Sequence, residues 1–451
     1  HRPDPSRSLR PAVRLMKQQQ IVVFLTVIMS TVLSGQAENW PSWRGPRGDG
    51  SAADAAPLRW NGASGQNVRW KTALPGEGHS SPIVWNDRIF VTACLPDSLE
   101  RVLICIDRAT GNLLWQRTVI EARLESKHAL NSYASSTPAT DGELVFVSFL
   151  EPGDDQILAP NVGSERMIYP GTMVAAAYDF EGNEVWMTRP GPFVSAHGFC
   201  TNPVIYHDTV IFNGDHDGDS YLVALNKFTG EQVWRQSRRH KTRSYSTPLV
   251  RSIDEKDQMV LSGSHCVASF DPNTGQPIWN VEGPTEQFVA SMVFDGEKFY
   301  AVGGYPTHHV IAIRPDGIGD VTDSHVVWHQ TNARCYVPSP VLVEHYLVVA
   351  DDRGTANCFD TRTGERLWQT RLGKHYSASL CVADGLVYFC ADDGVTKVLK
   401  PGPEPELVAE NTLGENIYAS PAISQGELFL RGRRHLYCIA DGEGTTSRSS
   451  R

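Results

Sequence analysis

One short phrase recurs along the chain and limits its possible folds more than any other feature. "DRATGNLLWQ" (107–116) joins a Thr-Gly turn to a tryptophan four residues past the glycine. Near copies stand at "NKFTGEQVWR" (226–235), "DPNTGQPIWN" (271–280) and "DTRTGERLWQ" (360–369). A second marker, usually a proline, travels with it at Pro82, Pro138, Pro203, Pro248, Met292, Pro340, Leu380 and Pro421. Eight markers at a mean spacing of about 48 residues fall in the range of propeller blades, above most solenoid repeats.

Each unit has the same internal grammar. Short apolar strands such as "RIFVTA", "LVFVSF", "TVIFNG" and "LVYFCA" accompany turn signals such as Asp141-Gly142 and Asp384-Gly385. A further strand ends near Asp107, Asp179, Asp271 or Asp360, and the turn and the tryptophan strand follow. With no convincing amphipathic helix, the pattern predicts an all-β fold, an eight-bladed β-propeller of four-stranded antiparallel blades. Blade 8 stops at "LYCIAD" without a fourth strand, and "NVRWKTAL" (67–74) is expected to supply it. That closure removes the free sheet edges that invite aggregation. The docking set is Trp70, Trp115, Trp186, Trp234, Trp279, Trp328 and Trp368, with Leu407 about where blade 7 should have its tryptophan. Each indole should bury between neighbouring blades with its N–H on a backbone partner, while the turn glycine takes positive φ.

The ends bound the domain. From Met16, one lysine precedes an apolar run, Ile21 to Leu33, of 13 residues, then small residues to Ala37. That is the form of a secretory leader, too short for a comfortable membrane span, and residues 1–15 lie ahead of a better start at Met16. An uncleaved anchor is the alternative. "LSGQ" (33–36) has Gln36 where a lipidated cysteine would stand. The expectation is an exported, soluble, unlipidated protein of the periplasm or cell envelope, with no transmembrane span after residue 37. Residues 38–66, opening on "WPSWRGPRGDG" (40–50), read as a clasp packed on the ring, 67–440 as the propeller, and 441–451 as a disordered tail. Nine cysteines without a CxxC pair suggest mostly free, packed thiols. A net charge of −10 gives no basic face for nucleic acid.

Function should sit on the rim with the long connections: 117–133, 151–172, 189–199 and 235–244. Before each innermost strand stands an aromatic or histidine: His79, Tyr133, Phe199, Tyr245, Phe288, Tyr336, Tyr376 and Tyr418. Two residues earlier come Glu77, Asn131, His197, Arg243, Glu286, Arg334, Lys374 and Asn416. These sixteen should converge on the channel mouth. His79, Tyr133, His197, Arg243, Tyr245, Arg334, Tyr336, Lys374, Tyr376 and Tyr418 are the candidates for a small anionic or planar ligand. The other reading is that the aromatics simply plug the channel. In "GDHDGDSY" (214–221), Asp215, Asp217 and Asp219 alternate as calcium ligands do, but Ser220 replaces the EF-hand glycine and the twelfth-place glutamate is missing, which favours a solvated turn. His308-His309 is no chelate, because adjacent strand residues face opposite ways. "RGRRH" (431–435) reads as a solvated basic loop. No G-x-S-x-G, H-E-x-x-H or P-loop pattern occurs.

The units, an Asp or Asn, a Thr-Gly turn and then Trp, resemble the pyrroloquinoline-quinone (PQQ) repeat over about residues 67–440. That resemblance covers quinoprotein alcohol dehydrogenases and the BamB-type outer-membrane assembly propellers. The first branch implies PQQ over calcium with an aspartate base, often against a disulfide of adjacent cysteines; no Cys-Cys pair occurs here, and no catalytic aspartate can be assigned. The second implies a non-catalytic scaffold for envelope proteins, normally lipidated. The leading expectation is a monomeric, non-enzymatic, exported scaffold that binds envelope proteins or a small ligand at its long-loop face and needs no cofactor. A PQQ and calcium-dependent dehydrogenase and a polysaccharide-binding propeller are the alternatives.

Overall fold

Strand burial follows from where each strand sits in a blade. The two middle strands are covered on both sides and are continuous apolar runs, as in Arg88–Leu95 and Glu100–Asp107. The outermost strands alternate, as in Gln232–Ser237, where Trp234 points inward between exposed neighbours. The computed structural model describes residues 38–442. The expected leader (1–37) and residues 443–451 of the expected tail lie outside the described residues.

Eight four-stranded antiparallel blades form, and blades 1 to 7 run in chain order from the channel outward. Blade 1, for example, is Ile83–Trp85, Arg88–Leu95, Glu100–Asp107 and Leu113–Glu121. Blade 8 combines Ala422–Ser424, Glu427–Arg431 and His435–Ile439 with the N-terminal strand Val68–Ala73, Trp70 lying opposite Cys438. Blade 4 carries an unexpected fifth strand. Gly319–Asp320, from the long blade 5 turn, pairs in parallel with Pro277–Glu282. Among the described residues no helix is long and apolar enough to cross a membrane. All nine cysteines are free, and all but the partly exposed Cys200 are buried.

The recurring phrase builds a joint between blades. The indole N–H of Trp70 donates to the Arg108 carbonyl of blade 1 at 2.8 Å. Trp115, Trp186, Trp234, Trp328 and Trp368 make the same bond to Phe180, Lys227, Pro272, Thr361 and Gly402 of the following blade. The turn glycine lies against the indole from the previous blade. A Cβ on Gly230 would stand 2.7 Å from the Trp186 ring, and one on Gly364 2.6 Å from Trp328. Trp279 departs from the pattern and donates to Gln258 Oε1 within its own blade at 2.8 Å, because the Asp-Gly-Ile-Gly turn of blade 5 replaces the Thr-Gly carbonyl. Blade 7, lacking a tryptophan, receives the clasp. The Trp60 amide donates to Asn411 Oδ1 at 2.9 Å, and Trp60 is buried with Ala409 and Leu413.

A second set of bonds closes the ring on the inside. The residue before each proline marker is Ser, Thr or Asn, and its side-chain oxygen receives the backbone N–H of its counterpart in the preceding blade. Ser81 N–H binds Thr137, Thr137 binds Asn202, Thr247 binds Ser291, Ser291 binds Ser339, Ser339 binds Ser379, and Ser379 binds Ser420, at 2.7–2.9 Å. Asn202 reaches Thr247 through its side-chain amide. At the blade 8 to blade 1 seam, arginines take over. Arg431 donates to Ser80 and to the Thr92 carbonyl, and Arg108 binds Glu427 at 2.7 Å. "RGRRH" is therefore no solvated loop at its first residue, since Arg431 is buried.

The clasp crosses the channel end that carries the short turns. Trp40 pairs with Val84 of blade 1, Gly50 and Ala52 with Val382 of blade 7, and Arg44 donates to the Pro340 carbonyl of blade 6. Two glycine variants separate the indole contact from backbone strain. Gly385 has φ 71° with open space around its missing Cβ, so Gly385→Ala should cost about 1 kcal/mol. Gly230→Ala, at φ 73°, also meets the indole and should cost about 2 kcal/mol more. Urea midpoints of the two variants measure the difference, and equal losses would show that the indole is not held on the turn.

Candidate functional site

A cavity of about 710 Å³ opens at the long-loop end of the channel. Its wall is set by the period of two along the segments that lead into the innermost strands. His79, His197, Arg243, Tyr245, Tyr336 and Tyr418 line it, with Asn131. Four other expected members do not. Tyr376 is buried between blades 6 and 7, and Arg334 and Lys374 are exposed to solvent. Tyr133 turns toward the packing of blades 1 and 2, beneath Lys127 and Arg101. Phe199 and Phe288 are likewise core residues, and Glu77, Glu286 and Asn416 stay outside the lining. In blades 5 and 7 the alternation is one residue out of phase with the expected ring. Gln287 and Val289, and His375, Ser377 and Ser379, face the cavity instead. The channel mouth is therefore partly filled by aromatics and partly open.

Long loops complete the wall. Arg101 of blade 1 pins loop 117–133 through the Ala122 and Arg123 carbonyls and a buried ion pair with Glu125 at 2.5 Å, and that loop brings His128 to the cavity. The 151–172 insertion forms a hairpin, Ile157–Leu158 with Met167–Ile168, whose tip supplies Asn161 and Arg166. Arg166 lies 3.4 Å from His197 Nε2. Trp43 of the clasp lines the cavity too, and Asp352 and Tyr305 enter from the blade 6 and blade 5 connections. Sequence reading marked loops 117–133 and 151–172 but not His128, Asn161 or Arg166 within them, and it did not mark the clasp or the blade 5 and blade 6 connections as parts of the site. The one-residue phase shift hides His375 beside Tyr376, and nothing local marks Asp352 or Trp43.

The three alternating aspartates do not converge. Asp215 pairs with Arg238 at 2.9 Å, Asp217 with Arg243 at 2.7 Å, and Asp219 with Lys241 at 2.6 Å. Asp215, His216, Asp217 and Ser220 are buried, so the segment is an ion-paired anchor rather than a solvated turn. Among the described residues no group of three or more His, Cys, Asp or Glu is placed to hold a metal ion.

The cavity wall is rich in basic side chains and poor in carboxylates. Arg243 Nε and His197 Nδ1 are buried without a hydrogen-bond partner among the described residues. His375 Nδ1 meets Asp392 Oδ2 at 2.6 Å, and Ser377 donates to the same oxygen at 3.0 Å, which leaves His375 Nε2 free for a ligand. Burial, reinforced by Arg431, Lys127 and Arg433, pulls the His79 pKa down to about 3. Burial, then Arg243, Arg166 and His128, pulls His197 down to about 4. Asp352 is the lone carboxylate of the wall. One of its oxygens accepts the Val337 N–H at 2.9 Å, and burial raises its pKa. A calcium ion takes about six to eight oxygens, carboxylates prominent among them. One part-committed carboxylate does not supply that set, so the residues present do not fit a calcium-held quinone.

Comparison with known proteins agrees with the ring. The family model described as outer membrane protein assembly factor BamB matches residues 58–153, 159–317 and 317–400. No curated protein matches the chain. Among solved structures, BamB from Moraxella catarrhalis is similar at 12% identity and a TM-score of 0.57, over 84% of this chain and 98% of that one. Quinohemoprotein alcohol dehydrogenase from Comamonas testosteroni is similar at 12% identity and a TM-score of 0.60, over 92% and 82%. The computationally designed Ika8 protein is similar at 13% identity and a TM-score of 0.54, over 82% and 98%. At these identities the likeness is one of fold.

The buried histidines set a pH dependence. His79, His197 and His216, the last drawn down to about 4 by burial, stay neutral in the fold, while the unfolded chain protonates them below their ordinary 6.5. Stability should hold above pH 6.5 and fall as pH drops toward 4. Melting temperature against pH measures it, and His79→Gln should flatten the slope. A profile unchanged by that variant would show that His79 is not held neutral.

Proposed function

The chain belongs to the outer membrane protein assembly factor BamB family of PQQ-like propellers, and from that membership we propose that it is an exported, non-catalytic binding propeller. Its central cavity is the ligand site, and its long-loop rim is the surface for envelope partners. The observation that carries the reading is a cavity lined by Arg243 and His197, each with a buried donor, Nε and Nδ1, that no described residue satisfies. A buried donor left unpaired costs about 1–3 kcal/mol, more when charged, and a bound acceptor offsets that cost. The rim adds exposed apolar side chains, Leu158 and Met167 on the hairpin and Leu130 and Tyr305 beside the mouth. Export rests on the leader-like segment from Met16 to Ala37 and on the family.

The open cavity also favours a second reading, the PQQ-dependent dehydrogenase. The lone, part-committed carboxylate of the wall, Asp352, argues against a calcium-held quinone. Calorimetric titration of the purified protein with PQQ, with and without calcium, decides between them. The binding propeller should show no calcium-dependent uptake. Micromolar binding that requires calcium would overturn the non-catalytic reading.

A further inference from the structure

We propose that the cavity takes a carboxylate-bearing saccharide, its carboxylate between Arg243, Arg166 and His197 and its hydroxyls on the wall formed by Asp352 and His375. The proposal rests on the reading of the cavity as a ligand site and names the class of ligand.

The first argument is charge. The chain has 51 acidic and 41 basic residues, yet the cavity wall inverts that balance, with two arginines against one aspartate, while His79 and His197 serve as neutral hydrogen-bonding groups. Arg166 makes no ion pair among the described residues and its side chain bonds only the Ala196 carbonyl and His197, so its exposed guanidinium keeps a positive potential at the mouth, which selects an anion. Arg243 is held rigidly for that task. Asp217 takes Nη1 at 2.7 Å, the Asn161 carbonyl takes Nη2 at 3.1 Å, and Nε remains unmatched.

The second argument is the order of the blades. Arg166, His197 and Arg243 come from blades 2, 3 and 4, whereas Asp352 and His375 come from blades 6 and 7. In a closed ring of eight, blades 3 and 7 face each other across the channel. A ligand that spans the cavity therefore meets cations at one end and a mixed donor and acceptor pair at the other. The aromatic rings of Tyr245, Tyr305 and Tyr336 stand between the two ends. A sugar acid matches all three regions. Its carboxylate takes charge-assisted bonds from the guanidinium and imidazole groups, its hydroxyls both give and accept, and its C–H face lies on aromatic rings. A planar aromatic acid matches the cations and the rings but leaves Asp352 and His375 Nε2 without partners. A neutral sugar leaves Arg166 without an anion and offers Arg243 Nε and His197 Nδ1 only uncharged acceptors.

The test is calorimetric titration of the purified full chain, at low salt, with three probes: trigalacturonate, the neutral galactose trimer, and naphthalene dicarboxylate. Trigalacturonate should bind, and the neutral trimer should be weaker by about tenfold or more. Arg166→Ala removes an exposed side chain, so it should leave the melting temperature unchanged and weaken trigalacturonate by about tenfold. Val289→Trp fills the cavity and should abolish binding. Equal binding of the two trimers overturns the carboxylate, and preference for naphthalene dicarboxylate overturns the saccharide; in both cases the cavity stands as a ligand site if Val289→Trp blocks the probe. Binding undiminished in Val289→Trp, or no binding of any probe, overturns the cavity itself and the proposal with it.

Discussion

The structure depends on an indole laid over a glycine. Each blade alone is a four-stranded sheet with both faces apolar, and it is stable only when its neighbours cover it. The tryptophan of one blade reaches the next, donates to a turn carbonyl and packs where only a hydrogen atom leaves room. Truncating one buried tryptophan costs about 3–5 kcal/mol, a large part of a typical net stability of about 5–15 kcal/mol. A ring of such joints has no end at which to fray, provided the last gap is closed. Trp70, carried by the N-terminal strand, closes it.

The inner ring of hydroxyls does for the channel what the tryptophans do for the perimeter. Backbone N–H groups at the start of the innermost strands would otherwise face a cavity with no strand to pair with. Passing each one to a Ser, Thr or Asn of the next blade satisfies it and fixes the spacing of the blades around the mouth. The cavity is thus held by rigid elements, while many of the side chains that reach it come from the longer connections.

Those loops are ordered by buried charge rather than by apolar contact. Arg101 with Glu125, Arg238 with Asp215, and Arg243 with Asp217 are each sequestered from solvent. Breaking such a pair leaves a charge without compensation and is far more costly than the net worth of the pair. The consequence for function is a firm mouth whose bases are already oriented before any ligand arrives. A fold of this kind does not by itself fix an activity, so the chemistry of this mouth has to be argued from its own side chains.

The repeated Thr-Gly and Trp phrase determined the architecture. Its spacing gave eight units, and a last unit short of one strand required the N-terminus to complete it. These are local signals, carried by turn chemistry and strand period, and so they are visible in one dimension. The inner latch was present in the same strings, in the Ser, Thr or Asn before each proline marker, but only the closed ring shows that these residues touch. The site was legible in part: His79, His197, Arg243, Tyr245, Tyr336 and Tyr418 were found by alignment of the units. Tyr376 and His375 exchanged places because one residue of phase reverses which side chain faces the channel. Asp352, Trp43 and Arg166 reach the cavity from segments distant in sequence, and Asp215, Asp217 and Asp219, neighbours in sequence, were drawn apart by three different bases. The sequence determined the ring because its joints repeat; tertiary structure alone decided the cavity, because its wall is assembled once, from loops that do not.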